Sequence, residues 1–472
     1  MDDLISELPD EILSYILTML SMKDLLKTSI LSRRWCKLWG LRKDLYFDIN
    51  NVFGSEEELI KNGYVIDANS RYADLKVSRD EFVKRVDQFL KNFPGTKIDS
   101  FLLSFNLNFE QSSIIDQWIS FAIAKGVERI NLLFLRKPFI PLLERYKFSF
   151  DLFSKTNASN LKHLHLENCL VCHPSNCDFE PFKNLRSLSL LSVKADEIFI
   201  ESLLSNCRLL EELSLVNCEF KSSTPKIISS SLCHLNVSKC YKVSSNNVTR
   251  FISLMLVDCL KLTSLECGVI DLSTFNINSH VLKRIKFSIE EYFDAFALSE
   301  TFPELEIMHL DIYPMVTPFL KIVQPFKHLI QLDCFIYFSD TINEECGLML
   351  ILNILQASPF LQKLSVMITN PMLFENHKDI RDVEVFSHDE VKVIELGGCV
   401  GNWYEIEFVM NVLKYAKKLK QIVLSPYWRE YDYLREDDYW NSNPVWFQSG
   451  REKISNILQG EEIVGREKLV LL

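Results

Sequence analysis

Glycine is scarce in this sequence, 13 among 472 residues. That scarcity speaks against glycine-rich loops, whose bare backbone amides cradle phosphate groups. The chain contains no G-x-x-x-x-G-K-[ST], no G-x-G-x-x-G after a strand, no G-x-S-x-G and no H-E-x-x-H, so nucleotide, hydrolase and zinc-peptidase signatures are all missing. Positive charge is also short. Lys and Arg total 52 against 63 Asp and Glu, a net charge of −11, and a nucleic-acid backbone as main partner would need clustered cations. No window approaches eighteen uncharged apolar residues, so no membrane span is expected. The chain begins Met-Asp-Asp without a basic segment leading an apolar run, so no secretory signal is expected either. An intracellular place, cytoplasmic or nuclear, follows as the expectation. The 13 cysteines are then predicted to be mostly reduced, buried and small hydrophobes in behaviour.

What is present is apolar: 47% of the residues are hydrophobic, enough for a large core. The first forty residues pattern as three short helices. Pro9 suits the first position of a helix, and Asp10 and Glu11 place negative charge in its first turn. Ile12, Leu13, Ile16, Leu17 and Leu20 recur at helical spacing as one broad apolar face. Ser21 with Asp24 reads as a capping pair opening a second helix that holds Leu25, Leu26 and Ile30. A third carries Trp35, Leu38 and Trp39 and stops near Gly40. Three helices of this size cannot hide so much apolar surface among themselves. The surplus faces either the rest of the chain or a separate subunit.

Residues 51 to 78 show no steady period and read as a linker or surface loop. A helical face follows at Phe82, Val86, Phe89 and Leu90, ended by Phe93-Pro94-Gly95. From Ile98 onward the frame apolar-x-x-apolar-x-apolar returns thirteen times, from Ile98/Phe101/Leu103 to Leu419/Ile422/Leu424. It implies short strands that turn alternate residues inward. Between Phe251 and Leu282 two frames compete, Phe251/Leu254/Leu256 and Leu262/Leu265/Cys267, and the sequence leaves both open. Longer steps hold extra helices, around 114–119 and 346–355. Cys169, Cys218, Cys240, Cys259 and Cys399 fall just after strands, where the chain turns inward and a thiol fits and can hydrogen-bond backbone. One repeat cannot bury its own apolar face, so the repeats must stack around a continuous core.

Two stretches resemble known families. Ile5-Ser6-Glu7-Leu8-Pro9-Asp10-Glu11-Ile12-Leu13, with Thr28-Ser29-Ile30-Leu31-Ser32-Arg33-Arg34-Trp35, resembles the F-box motif in its plant form. His388 to Asn402, the helix from Glu405 to Tyr415 and Ala416 to Leu424 resemble the FBD module that ends many plant F-box/leucine-rich-repeat proteins. The resemblance implies an α/β fold: an N-terminal three-helix F-box, a curved leucine-rich-repeat solenoid with a parallel sheet, and a C-terminal α/β FBD cap. The boundaries are read as 1–50 F-box, 51–97 linker and helix, 98–375 repeats, 376–430 FBD-like module and 431–472 terminal cap. It implies a non-enzymatic substrate-recognition subunit docked on an SKP-family adaptor of a cullin-RING ubiquitin ligase. Adaptor contacts carried over from the motif are Leu8, Pro9, Ile12, Leu13, Ile16, Leu20, Leu25 and Trp35. The protein target is unspecified, and a repeat scaffold that senses a ligand or binds protein without a ligase role stays open.

Few other constellations suggest chemistry. Cys169, Cys172, His173 and Cys177 have zinc-like spacing, and Cys172-His173 after Cys169 has the form of a haem attachment. Cys169 is already placed in a repeat turn and Pro174-Ser175-Asn176 reads as an ordinary loop, so no metal and no cofactor are expected. His163 and His165 flank Leu164 on a strand and are expected on its outward side. Trp440, Trp446 and Phe447 are expected to close the C-terminal core, and Tyr427 to Tyr433 to form a surface loop.

Overall fold

The computed structural model describes residues 7–28, 30, 35–61, 66–67, 74–75, 78–134, 144–153, 160–172, 179–220, 226–244, 247–249, 256–269, 277–289, 299, 301–312, 325–337, 348–369, 371–373, 387–432, 437–442, 444–460 and 465–472. The chain packs as two compact units. The first comprises Met1–Ser222, Ile227–Leu232 and Cys240–Arg250; the second comprises Ser223–Lys226, Cys233–Lys239 and Phe251–Leu472.

The first unit opens with helices α1 (Asp10–Thr18), α2 (Met22–Thr28) and α3 (Trp35–Leu38), the last running into a 3-10 turn at Trp39–Leu41. A parallel sheet follows, in the order Asp44–Phe47, Ser100–Ser104, Arg129–Leu133, His163–Glu167, Ser187–Leu191 and Glu212–Val216. The sheet therefore starts at Asp44, before the first repeat frame. The stretch read as a loop holds helices α4 (Ile49–Phe53) and α5 (Glu56–Lys61). Asp48 caps α4 by accepting from the Asn51 amide at 2.8 Å, a local signal that composition alone does not weigh. Helix α6 (Arg79–Asn92) buries Phe82, Val86, Phe89 and Leu90, as its spacing predicts.

Among the described residues the main sheet of the second unit runs through nine parallel strands, His234–Ser238, Ser264–Val269, Arg284–Ile289, Ile307–Ile312, Gln331–Tyr337, Lys363–Thr369, Val393–Gly397, Gln421–Leu424 and Leu469–Leu471. The second and third residues of all thirteen repeat frames fall on strands of these two sheets, the first lies just before each strand, and every frame residue is buried. Each buried Leu contributes on the order of 1.5–3 kcal/mol to holding its repeat on the next. Leu265 and Cys267 of the frame Leu262/Leu265/Cys267 lie on a main-sheet strand, while Phe251 and Leu254 of the competing frame lie outside the described residues. Leu256–Asp258 instead pairs with Ile277–Asn278 in a separate ladder. Cys259 follows that small strand and is buried.

The strand ends share one backbone device. Asn168, Ser192, Asn217 and Lys239 take φ of 51–55°, and Gly398 takes 71°. Each occupies the left-handed region immediately after a strand and swings the chain inward. The next residue is small and buried: Cys169, Val193, Cys218, Cys240 and Cys399. The Cys218 thiol donates to the Leu190 carbonyl at 3.3 Å, and the Cys240 thiol to that of Leu215 at 3.1 Å. A Cβ on Gly398 would lie 1.9 Å from the Ile368 carbonyl oxygen, so glycine is required there.

At the C-terminal end, the Gly397-Gly398 turn leads to helix α10 (Trp403–Tyr415), counted after α7 (Ser112–Ala124), α8 (Glu197–Asn206) and α9 (Met349–Gln356). Tyr427–Asp432 and Asp437–Ser442 form an antiparallel hairpin, not a loop. The alternation of aromatic and charged residues there is a strand period. Trp446 is fully buried and donates to the Leu472 carbonyl at 2.8 Å. Trp440 and Phe447 do not close the core; they are 64% and 60% exposed. Cys169 sits in its turn, while the Cys172 side chain, His173 and Cys177 lie outside the described residues. Among the described residues no helix is long and apolar enough to cross a membrane.

Candidate partner-docking face

The N-terminal helices are tied to the sheet by backbone and polar contacts. The Ser14 hydroxyl donates to the Leu41 carbonyl at 2.7 Å. The guanidinium of Arg42, 2% exposed, spans from the Leu20 carbonyl at 2.9 Å to that of Asp44 at 2.8 Å. It holds the α1–α2 turn to the start of the first strand, and such charge-assisted bonds are stronger than neutral ones. Trp39 packs edge-on against Phe89 and Phe93, ring centroids 5.0 and 5.7 Å apart. Backbones meet beside it: a Cβ on Gly95 would lie 2.6 Å from the Gly40 carbonyl oxygen.

Pro9 is the N-cap of α1, one residue earlier than predicted, and its carbonyl accepts the Ile12 and Leu13 amides at 3.0 Å. The Ser21 cap is present, its hydroxyl accepting the Asp24 amide at 3.1 Å. The Asp24 carboxyl lies below the usual carboxylate range because the Lys27 ammonium and the Ser21 hydroxyl both donate to it. Ile30 lies past the end of α2.

The eight expected contact residues divide. Leu13, Leu25 and Trp35 are buried in the chain's own interior. The structure moves them from surface to core, because α1 is apolar on two sides and its Leu13/Leu17 side faces inward. Leu8, Ile16 and Leu20 are half-buried, and Pro9 and Ile12 are exposed. The sequence reading missed Tyr15 and Met19, which stand 64% and 66% exposed, and Ile30 and Leu26, also exposed. Ile12, Tyr15, Ile16 and Met19 share one helical side by their three- and four-residue spacing. The signal was there in the sequence, since Tyr15 and Met19 continue the period of Ile12. An open cleft of about 620 Å³ adjoins this face, lined by Met19, Ser21, Asp24, Asn50, Asn51, Gly54 and Ser55. An apolar ridge with a polar cleft beside it can bind another protein's surface. Among the described residues no group of three or more His, Cys, Asp or Glu could hold a metal.

The outward side of the first unit's sheet is the other candidate surface. His163 and His165 alternate with buried Leu164 and Leu166, as expected. Burial lowers both imidazole pKa values, aided at His163 by the nearby Arg129 guanidinium.

Comparison with known proteins places these surfaces in context. Residues 89–443 match a family model described as At1g61320/AtMIF1, LRR domain, and residues 5–45 match the F-box domain. The chain is similar to F-box protein At1g80960 of Arabidopsis thaliana, 29% identical over 306 residues, which is 61% of this chain and 57% of that protein. It is similar to F-box/FBD/LRR-repeat protein At1g13570 of Arabidopsis thaliana, 28% identical over 283 residues, 53% of this chain and 59% of that protein. It is also similar to F-box/LRR-repeat protein At3g03360 of Arabidopsis thaliana, 27% identical over 288 residues, 58% of this chain and 50% of that protein. The matched stretch spans about half the length of these relatives.

Proposed function

Because the chain belongs to the plant F-box/leucine-rich-repeat protein family, we propose that it is the substrate-recognition subunit of an SKP-cullin-F-box ubiquitin ligase. The N-terminal helices dock on an SKP-family adaptor, and the repeat sheets hold a protein target. The chain itself carries out no chemistry; the other subunits transfer ubiquitin to a target held close to them.

The observation that carries this reading is the apolar ridge of Ile12, Tyr15 and Met19, left uncovered while Leu13, Leu17 and Leu25 of the same helices are fully buried. Burying each ridge side chain against a partner contributes on the order of 1.5–3 kcal/mol, which is set against the cost of association. Leu8, Pro9, Ile16 and Leu20 would border that contact. Leu13, Leu25 and Trp35 would support it from beneath. The stretch 376–430 would serve as an FBD-like closing module of the repeats.

The test is co-purification of the full-length chain with recombinant adaptor. An Ile12→Asp/Met19→Asp variant is expected to lose adaptor capture by at least about tenfold while keeping its circular dichroism spectrum, since both side chains are outside the core. Equal capture by variant and wild type would refute the docking face.

A further inference from the structure

Among the described residues the hairpin of Tyr427–Asp432 and Asp437–Ser442 is a sheet of only two strands. Its inner strand lies on the second unit: Trp428 is buried, and the Gly398 amide donates to the Tyr427 carbonyl at 2.9 Å. Its outer strand stands clear. Trp440 is exposed on one face of that strand and Asn441 on the other. A two-stranded hairpin is marginal alone and gains from further strands.

The hydrogen bonds tell which backbone groups face the outer edge. The Tyr427 carbonyl is taken by Gly398, and the Tyr427 amide donates to the Ser425 hydroxyl at 3.2 Å. Both groups therefore point away from Ser442, the residue opposite Tyr427. Opposed residues in an antiparallel ladder alternate between bonded and non-bonded pairs. Tyr427–Ser442 is thus a non-bonded pair, and so are Arg429–Trp440 and Tyr431–Asp438. The N–H and C=O groups of Asp438, Trp440 and Ser442 accordingly point out along the open edge. Among the described residues only the Ser442 amide of this set has a partner, the Asn441 side-chain oxygen at 2.9 Å. An open edge of this kind is a template for another strand.

We propose that this edge pairs with the same edge of a second copy of the chain, antiparallel about a two-fold axis, to make a four-stranded sheet. A two-fold contact sets one surface against itself, and Asp437-Asp438-Tyr439-Trp440-Asn441-Ser442 suits that arrangement with the axis at Trp440. Each Trp440 then stands opposite the other, their Cα atoms about 5.5 Å apart, and each Asp438 stands opposite a Ser442. Cross-strand aromatic pairs stabilise a sheet, and like charges directly opposite destabilise it. Moving the axis by one residue loses the tryptophan pair, and an axis at Asp438 sets that acid against itself. The apolar surface continues beside Trp440 on the same face. The Tyr427 and Phe447 rings, both exposed, lie 6.4 Å apart there. A contact built on one short strand from each copy falls below the roughly 1,200 Å² that stable interfaces bury, so the dimer is weak and reversible.

The test is sedimentation velocity of the full-length chain from micromolar to hundreds of micromolar. Wild type is expected to shift from monomer toward dimer as concentration rises. Trp440→Pro removes the ring and an N–H that points outward, a place where an edge strand tolerates proline. It is expected to raise the dissociation constant at least about tenfold with an unchanged circular dichroism spectrum. Ile12→Asp/Met19→Asp is expected to dimerise as wild type does, which separates this contact from the N-terminal ridge. A second measurement does not depend on the proline variant. Trp440→Cys is expected to give a disulfide-linked dimer under mild copper-phenanthroline oxidation, because the axis brings the two Cα atoms within bridging distance. Phe447→Cys and wild type are expected to give background only. A wild type that stays monomeric overturns the assignment and leaves the edge to an extended segment of another protein. A dimer indifferent to Trp440→Pro, a dimer lost in Ile12→Asp/Met19→Asp, or equal cross-linking through Trp440→Cys and Phe447→Cys would each overturn it as well.

Discussion

Glu405 is a fully buried carboxyl in the first turn of α10. Burial pushes its pKa up from 4.5 to about 7, against the pull of backbone amides. The Gly401 amide donates to it at 2.9 Å and the Val400 amide at 3.2 Å, with the Asn402 side-chain amide at 3.4 Å. A folded-state pKa above the unfolded value means that the native state holds the proton more tightly. The stability this contributes is complete below pH 4.5 and is lost as the pH rises through about 7. Each pKa unit is worth about 1.4 kcal/mol, so the loss across that window is on the order of 3 kcal/mol. Glu405→Gln keeps the shape and the acceptor oxygen but cannot ionise. Relative to wild type, the variant should gain on the order of 3 kcal/mol between pH 4.5 and pH 8. Urea denaturation followed by circular dichroism at several pH values in this range measures that gain, and the difference cancels groups common to both proteins. A flat difference would refute the reasoning, because the folded carboxyl would then titrate normally. A difference of opposite sign would mean that the amides outweigh burial.

Other consequences can be measured in the same way. Gly398→Ala should destabilise by roughly 2–4 kcal/mol, since the new methyl group collides with the Ile368 carbonyl and the left-handed backbone disfavours it; urea unfolding reads the loss. Leu188→Ala removes a fully buried frame residue and should cost about 2–5 kcal/mol in the same assay. Arg42→Met should free the α1–α2 turn from the sheet and speed limited proteolysis within residues 7–28, with the repeat sheets still protected; unchanged cleavage would deny the strap its role. Gly95→Ala should lower stability by about 1–3 kcal/mol through its clash with Gly40, as a shifted denaturation midpoint would show.

The repeat array was legible because its inward residues repeat along the chain at strand spacing, and one weak frame gains force when thirteen follow in series. Leu45-Tyr46-Phe47-Asp48 reads as an extended segment, but its pairing with Ser100–Ser104 was not legible because it precedes the first repeat frame. The stretch from Tyr427 to Tyr433 reads as a loop, yet Tyr427–Asp432 is a strand in which Trp428 is buried; charged residues between the aromatics masked the period. On α1 the period revealed apolar residues but not their direction. Leu13 and Leu17 turn to the core while Ile12, Tyr15 and Met19 turn away, and only tertiary packing separates two apolar sides of one helix. The outward row of the first unit's sheet is a relation among strands. His163 and His165 were visible as outward residues, but the register that sets them beside Arg129 and Ser187 is not written in any one repeat.

The left-handed residue at each strand end has a consequence for how such chains diverge. Asparagine, serine, lysine and glycine all occupy that place here, so the bend is inherited as a torsion and not as a letter. Glycine at Asn168, Ser192, Asn217 or Lys239 would relieve about 1–2 kcal/mol of torsional strain, less whatever the native side chain contributes. Four of these corners therefore tolerate a side chain at the bend, and Gly398, where a Cβ would meet the Ile368 carbonyl, does not.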